Sequence, residues 1–230
     1  MGWAELSWPG TEAEAVAEQE RLRGLVDLES PGPVPGSAVR IAGVDVAYDE
    51  KTDRVAGAAV VLNAETLQVT ERATAVTTAS FPYVPGLLAF RELPPVLRAL
   101  EQLVALPDLV VCDGHGIAHP RRLGLASHLG VLTGLPAFGV AKTSFAFAYE
   151  PPGPERGAWT PLADGGDVVG RALRTREGVK PVFVSVGHAV GLEEACAHTL
   201  RLTPRYRLPE TTRHADNLCR RALAMALAEG

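Results

Sequence analysis

Cysteine, lysine and long apolar runs are all scarce in this chain. Its 230 residues include three cysteines, Cys112, Cys196 and Cys219. An odd, widely spaced set excludes a disulfide framework and lacks metal-site spacing, so these read as buried or incidental thiols. No apolar run approaches the ~20 residues that span a bilayer, so no membrane segment is expected. The first residues are acidic and lack a basic stretch leading into an apolar one, so no secretory signal is expected and a cytoplasmic location fits. Lysine occurs only as Lys51, Lys142 and Lys180; the other bases are arginine. No G-x-S-x-G elbow surrounds Ser127 and His128, which excludes a serine-hydrolase reading. The glycines of 114–116 lack the lysine and spacing of a Walker motif.

What is present is a globular composition: 47% hydrophobic, 21% charged, with 23 glycines and 18 prolines. That length and balance suit one domain with an ample core, and exclude a disordered or collagen-like chain. The net charge of -5 argues at first against a nucleic-acid partner. Its distribution reverses that. Residues 1–30 hold seven acids and two bases, which is the whole excess. Residues 171–230 hold ten bases and six acids. The basic segments Arg171, Arg174, Arg176 and Lys180, and Arg201, Arg205, Arg207 and Arg213, are candidates for a phosphate track or a solvated face.

Periodicity predicts a helix over 11–28, with Thr11 as N-cap and Glu14 completing a capping box. The run 31–36 is a linker. Strands follow at 41–48, 55–62 and 67–78, as an antiparallel meander. The prolines of 82–86 predict a rigid loop. A helix over 87–105 must kink or restart at Pro94 and Pro95. A short buried strand at 109–113 leads into a glycine-containing loop, 114–120. Pro120 suits the first turn of a helix reaching about Leu132. Strands at 136–141 and 181–186, a Pro/Gly-rich excursion at 151–167, and helices at 191–200 and 210–228 complete the reading. Together these give one α/β domain (residues 1–230) with a mixed sheet, three antiparallel strands followed by parallel ones, flanked by helices. Residues 1–36 form an N-terminal helix and linker ahead of a core over 40–230.

Four carboxylates stand out. Asp45 interrupts the apolar strand IAGVDVAY, where an ionised group needs compensation. Asp113 closes the strand LVVCD, at the end where ligand sites of open α/β sheets gather. Glu92 opens a helix, and Asp216 lies on the C-terminal helix in TTRHAD. Converging oxygen ligands of this kind suit Mg²⁺. Taken alone, a helix carboxylate such as Asp216 is more often on a solvated face or paired with an arginine. His115, His128 and His188 lack ligand spacing and read as packed or hydrogen-bonded rings.

These residues fall in ordered blocks: RIAGVDVAY (40–48), FPYVPGLLAFRE (81–92), DGHGIAHPRRLGLASHLGV (113–131), GVAKT (139–143), VVGRALRTREGVKPVFVSVGH (168–188) and LPETTRHAD (208–216). In this the chain resembles the endonuclease V family, the deoxyinosine-directed repair nucleases. The resemblance implies an RNase H-like fold and Mg²⁺-dependent hydrolysis, with Mn²⁺ as a substitute. The bond cut is the second phosphodiester 3′ to a deaminated purine, leaving a 3′-hydroxyl and a 5′-phosphate. It implies that Asp45, Glu92 and Asp113 bind metal, with Asp216 at the fourth, variable position and His214 close by. Lys142 matches the active-site lysine. Pro82, Tyr83 and Pro85 match the wedge that enters the duplex. Arg91, Gly116 and His119 are expected at the substrate. The expected partner is DNA carrying deoxyinosine or another deaminated base, bound by a monomer.

The chemistry fits these residue types. Two Mg²⁺ ions held by converging carboxylates bind the attacking and leaving oxygens of a phosphodiester. A lysine ending an apolar strand is placed to orient water or offset charge in the transition state. The base must leave the stack, and an aromatic wedge meets that need. Two other readings remain open on sequence alone: an inosine-directed ribonuclease, and a lesion-binding protein that does not cut.

Overall fold

The computed structural model describes residues 2–37, 40–145 and 147–229. A short 3-10 turn at Trp3–Glu5 precedes helix α1 (Glu12–Arg23). Strands β1 (Arg40–Asp49), β2 (Arg54–Asn63) and β3 (Val69–Thr78) form the antiparallel meander. Helix α2 (Ala89–Glu101), β4 (Leu109–Cys112), helix α3 (Leu125–Thr133) and β5 (Ala137–Ala141) follow. A hairpin of β6 (Trp159–Asp164) and β7 (Asp167–Leu173) leads to β8 (Val182–His188), α4 (Leu192–Leu202) and α5 (Glu210–Ala228). All eight strands form one sheet in the order β3-β2-β1-β4-β5-β8-β7-β6. β4 and β5 run parallel to β1, and β8, β7 and β6 return to antiparallel pairing. Among the described residues no helix is long and apolar enough to cross a membrane.

β1 and β2 are buried on both faces, which is why their sequences read as nearly continuous apolar runs. Alternation assigns the faces. Ala42, Val44, Ala59 and Val61 pack under α2 with Leu93, Val96, Leu97 and Leu100. Ala58, Val60 and Leu62 pack on the other face with Ala215 and Cys219 of α5. One glycine seats each helix. A Cβ on Gly43 would stand 2.2 Å from the Thr211 carbonyl carbon, so α5 lies directly on β1. A Cβ on Gly57 would stand 2.5 Å from the Pro95 carbonyl carbon, which brings α2 equally close to β2.

Three local expectations are corrected. Pro94 and Pro95 do not restart the helix; they lie inside one α2 that runs on from Ala89 to Glu101. Buried Leu93, Pro95, Val96 and Leu97 hold that turn against the sheet, and packing outweighs the missing N–H donors. α3 begins at Leu125, with Gly124 as N-cap, and not near Pro120. Arg122, in a left-handed conformation (φ 57°), turns the chain first. The 151–167 excursion contains β6, because Trp159, Pro161 and Leu162 find partners across the β7 hairpin.

Candidate active site

Asp45 lies mid-strand on β1, opposite Ala58, on the same face as Gly43 and therefore toward α5. Asp113 follows β4, and its N–H donates to the Val44 carbonyl at 3.2 Å, which sets it beside Asp45. Glu92 enters from the first turn of α2 on the opposite face. Asp216 is on α5, about one and a half turns beyond Thr211, where that helix meets Gly43. Lys142 follows β5 and donates to an Asp113 oxygen at 2.5 Å. The sheet and two helices thus deliver five predicted residues to one end of the β1–β4–β5 strands.

The electrostatics fit a crowded anionic site. Burial, then the neighbouring Asp113 charge, pushes Asp45 up to about 8. The same two causes push Glu92 up to about 7. Burial works to lower the Lys142 ammonium, but its hydrogen bond to Asp113 and the charges of Asp113, Asp45 and Asp216 outweigh it and raise it. Asp216 pairs with Arg220 at 2.9 Å as an i,i+4 bridge, the arginine partner that its helix position allowed. Among the described residues no three His, Cys, Asp or Glu side chains are grouped so as to hold an ion as they stand.

Two cavities meet at Asp113. One encloses about 170 Å³ and is lined by Glu92, Asp113, Gly114, His115, His119 and Phe145, together with Gln19, Gly86 and Leu123. The other encloses about 270 Å³ and is lined by Asp113, Lys142, Asp216, Arg213 and Arg220. The first is largely apolar and shaped by rings: Phe145 stands 5.4 Å from the His119 ring and 6.0 Å from that of His115. The second is cationic. Beside them Pro82, Tyr83 and Pro85 are exposed, with Tyr83 59% accessible and its ring 6.5 Å from that of Tyr48.

Of three residues expected at the substrate, Arg91 and Gly116 are turned inward and His119 reaches the first cavity with both ring nitrogens engaged. Arg91 is 6% exposed; it donates to the Phe81 carbonyl and to Asp53, both at 3.1 Å. It therefore braces the loop that carries Tyr83. His119 lines the first cavity, but Nε2 lies 3.0 Å from the Gly86 carbonyl and Nδ1 accepts from the Arg121 N–H. Gly116 is buried; a Cβ there would stand 1.8 Å from the Val186 carbonyl oxygen. The loop is thus laid against β8 backbone to backbone. Its N–H donates to the Ser185 hydroxyl at 2.7 Å, and Gly114, not Gly116, faces the cavity.

The expected phosphate track is also partly internal. Arg174 donates to the carbonyls of Pro152, Gly153 and Val179. Arg207 donates to those of Lys142, Lys180 and Pro181. Arg171 pairs with Glu193 and stacks on Trp159. Arg213, stacked 3.5 Å from the Tyr206 ring centroid, does face the second cavity. Sequence reading missed Gln19 and Phe145. Gln19 sits among glutamates in a polar helix, and its burial (1% exposed) was the missing signal.

Residues 20–217 match the endonuclease V family profile. Endonuclease V of Streptomyces avermitilis is 66% identical over 221 residues, 96% of each chain. Its crystal structure has a TM-score of 0.93, again covering 96% of both chains. Endonuclease V of Bacillus subtilis is 33% identical, covers 99% of this chain and 97% of its own, and has a TM-score of 0.90. Endonuclease V of Ciona intestinalis is 28% identical, with 93% and 98% covered and a TM-score of 0.80. It was crystallised with a 24mer DNA containing an inosine followed by a ribo-adenosine. The mixed sheet has the RNase H-like fold of these structures. With a family profile spanning most of its length and a relative at 66% identity end to end, the chain belongs to the endonuclease V family.

Proposed function

We propose that the protein cuts DNA at deaminated purines, deoxyinosine above all. It hydrolyses the second phosphodiester bond on the 3′ side, leaving a 3′-hydroxyl and a 5′-phosphate. The observation that carries this reading is the shared wall at Asp113. A base-sized, ring-lined cavity opens on one side of it, and a cavity lined by Lys142, Arg213 and Arg220 on the other. A nucleotide turned out of the stack places its base in the first and its 3′ phosphates toward the second. The inosine-bearing DNA held by the Ciona relative supports the same substrate class.

The residues fit a hard divalent cation. The donors are carboxylate oxygens, and burial and the Asp113 charge push Asp45 and Glu92 up, a strain that a cation relieves. Asp45, Glu92, Asp113 and Asp216 would hold Mg²⁺ or Mn²⁺. Bound there, the metal supplies charge stabilisation at the phosphate and a more acidic water. The protein's own groups do the rest. Tyr83, on a loop stiffened by Pro82 and Pro85, fills the space the base leaves. Phe145 and the histidine rings shelter the base. Lys142 holds Asp113 in place and puts a cation beside the scissile phosphate. Three free, buried cysteines suit a reducing compartment such as the cytoplasm.

A duplex with one deoxyinosine, incubated with Mg²⁺, should be nicked one nucleotide beyond the lesion, and Asp45→Ala should abolish the nick. Intact substrate with tight binding would instead show a lesion-binding protein that does not cut. The ribo-adenosine beside the inosine in the Ciona complex favours a second reading, cleavage next to ribonucleotides. Competing RNA and DNA substrates with the same inosine site distinguish the two.

A further inference from the structure

Three donors converge on a single carbonyl. The Gly86 oxygen, which ends the Tyr83 loop, accepts from Gln19 Nε2 at 2.9 Å, Arg121 Nη2 at 2.9 Å and His119 Nε2 at 3.0 Å. The donors tie to one another as well. Arg121 Nε donates to Gln19 Oε1 at 2.5 Å, and the Arg121 N–H donates to His119 Nδ1 at 3.2 Å. Gln19 Nε2 also reaches the Leu123 carbonyl at 3.3 Å. The knot joins α1, the wedge loop and the 113–124 loop, and its Gln19, Gly86, His119 and Leu123 form one wall of the ring-lined cavity.

The setting makes this more than a brace. Gly86 has φ +82°, and a Cβ there would stand 3.0 Å from Arg121 Nη2, so the carbonyl direction is fixed by both backbone and donors. The two ends of the wedge loop are anchored apolarly: Phe81 and Leu87 are each 2% exposed and pack with Ala15 of α1 and Phe90 of α2. Gln19 is 1% exposed, so its amide has no water to fall back on. Three donors on one oxygen hold it from three directions, and Gln19 is the one that ties it to α1.

We propose that Gln19 is a positioning residue for lesion capture: through the Gly86 carbonyl it sets the spacing between the wedge and the base cavity. Displacing a base and receiving it then take place at one fixed distance. This rests on the reading of the site as an inosine endonuclease, and it extends that reading to α1.

The spacing matters only when a base must be driven from a paired stack; in a single strand there is no opposing stack to open. The test compares kcat and KM on one inosine in duplex and in single-stranded DNA, for wild type, Gln19→Leu and Gln19→Glu. Gln19→Glu keeps an acceptor for Arg121 and removes both donors, so it tests the contact even if Gln19→Leu folds poorly. In the variants the duplex-to-single-strand ratio of kcat/KM falls about tenfold, the scale of one lost buried hydrogen bond, and the change lies in KM. An equal loss on both substrates, or a loss in kcat alone, overturns the positioning role. If wild type cuts neither substrate, it is the assignment as an inosine endonuclease that fails.

Discussion

The Lys142 ammonium lies 2.5 Å from an Asp113 oxygen, the only acid shared by the two cavities. This contact links the end of β5 to the end of β4 and offsets charge that Asp45 and Asp216 also feel. Replacing Lys142 with Met should lower cleavage by about a hundredfold or more, the scale of losing one preorganised charge. It should also raise Asp45 further, because Lys142 works to lower it. The acidic limb of the rate profile therefore moves to higher pH. A profile with unchanged shape and reduced height would show that the lysine acts on the phosphate alone.

Asp45→Asn should separate stability from activity. The carboxyl is 9% exposed and pushed up to about 8, from 3.8. A folded value above the unfolded one means that stability is present below about pH 3.8 and is lost as pH rises toward 8. At pH 7 with chelator, a neutral Asn should stabilise the protein by on the order of 1–3 kcal/mol. Urea midpoints and nicking assays on the same preparation check this, with nicking absent.

Tyr83→Ala should leave the thermal midpoint unchanged, since the ring is 59% accessible. Affinity for inosine duplex should fall by on the order of 1–3 kcal/mol, the range for one base–aromatic contact. Fluorescence anisotropy with matched lesion and undamaged duplexes reads the difference.

His119 and His128 are both pushed down to about 4 by burial, from 6.5. Their folded values are depressed, so the fold holds the neutral rings. That stability is complete above about pH 6.5 and is lost as pH falls toward 4. By pH 5 each ring should account for on the order of 1–2 kcal/mol of lost stability. His128→Leu, beneath Trp8 and Phe90, should flatten its share of the slope.

Gly43→Ala places a methyl 2.2 Å from the Thr211 backbone. α5 must lift from β1, at a cost of about 3 kcal/mol. Because Asp216 moves with α5, nicking should fall by more than the folded fraction does. Circular dichroism melts paired with rates under folding conditions separate the two effects.

Asp45 and Asp113 were readable in the sequence because a carboxylate within or ending an apolar strand is anomalous on propensity alone. Tyr83 was readable because flanking prolines project it. Arg91 and His119 stand in the same blocks, yet their partners are backbone carbonyls distant in sequence, Phe81 and Gly86, which no local pattern reveals. The same holds for Arg174 and Arg207, whose charge suggested phosphate and whose guanidinium groups hold loops together. Pro94 and Pro95 point to a kink or a restart on propensity alone, which is blind to the Gly57 seat that receives one continuous helix. The β6 strand was hidden by its proline and by its edge position.

Gly116 has no room for a side chain where it meets β8, and Gly124 is nearly as tight: a Cβ there would stand 2.5 Å from the His115 carbonyl oxygen. The loop around the base cavity is therefore a cast, not a lid. Its path is fixed by main-chain contacts that side-chain exchange cannot loosen. Efforts to retune this protein toward other bases should leave those glycines alone and work on the side chains set on the cast: the rings of Phe145, His115 and His119 at the cavity, and Gln19 of α1 behind the Gly86 carbonyl.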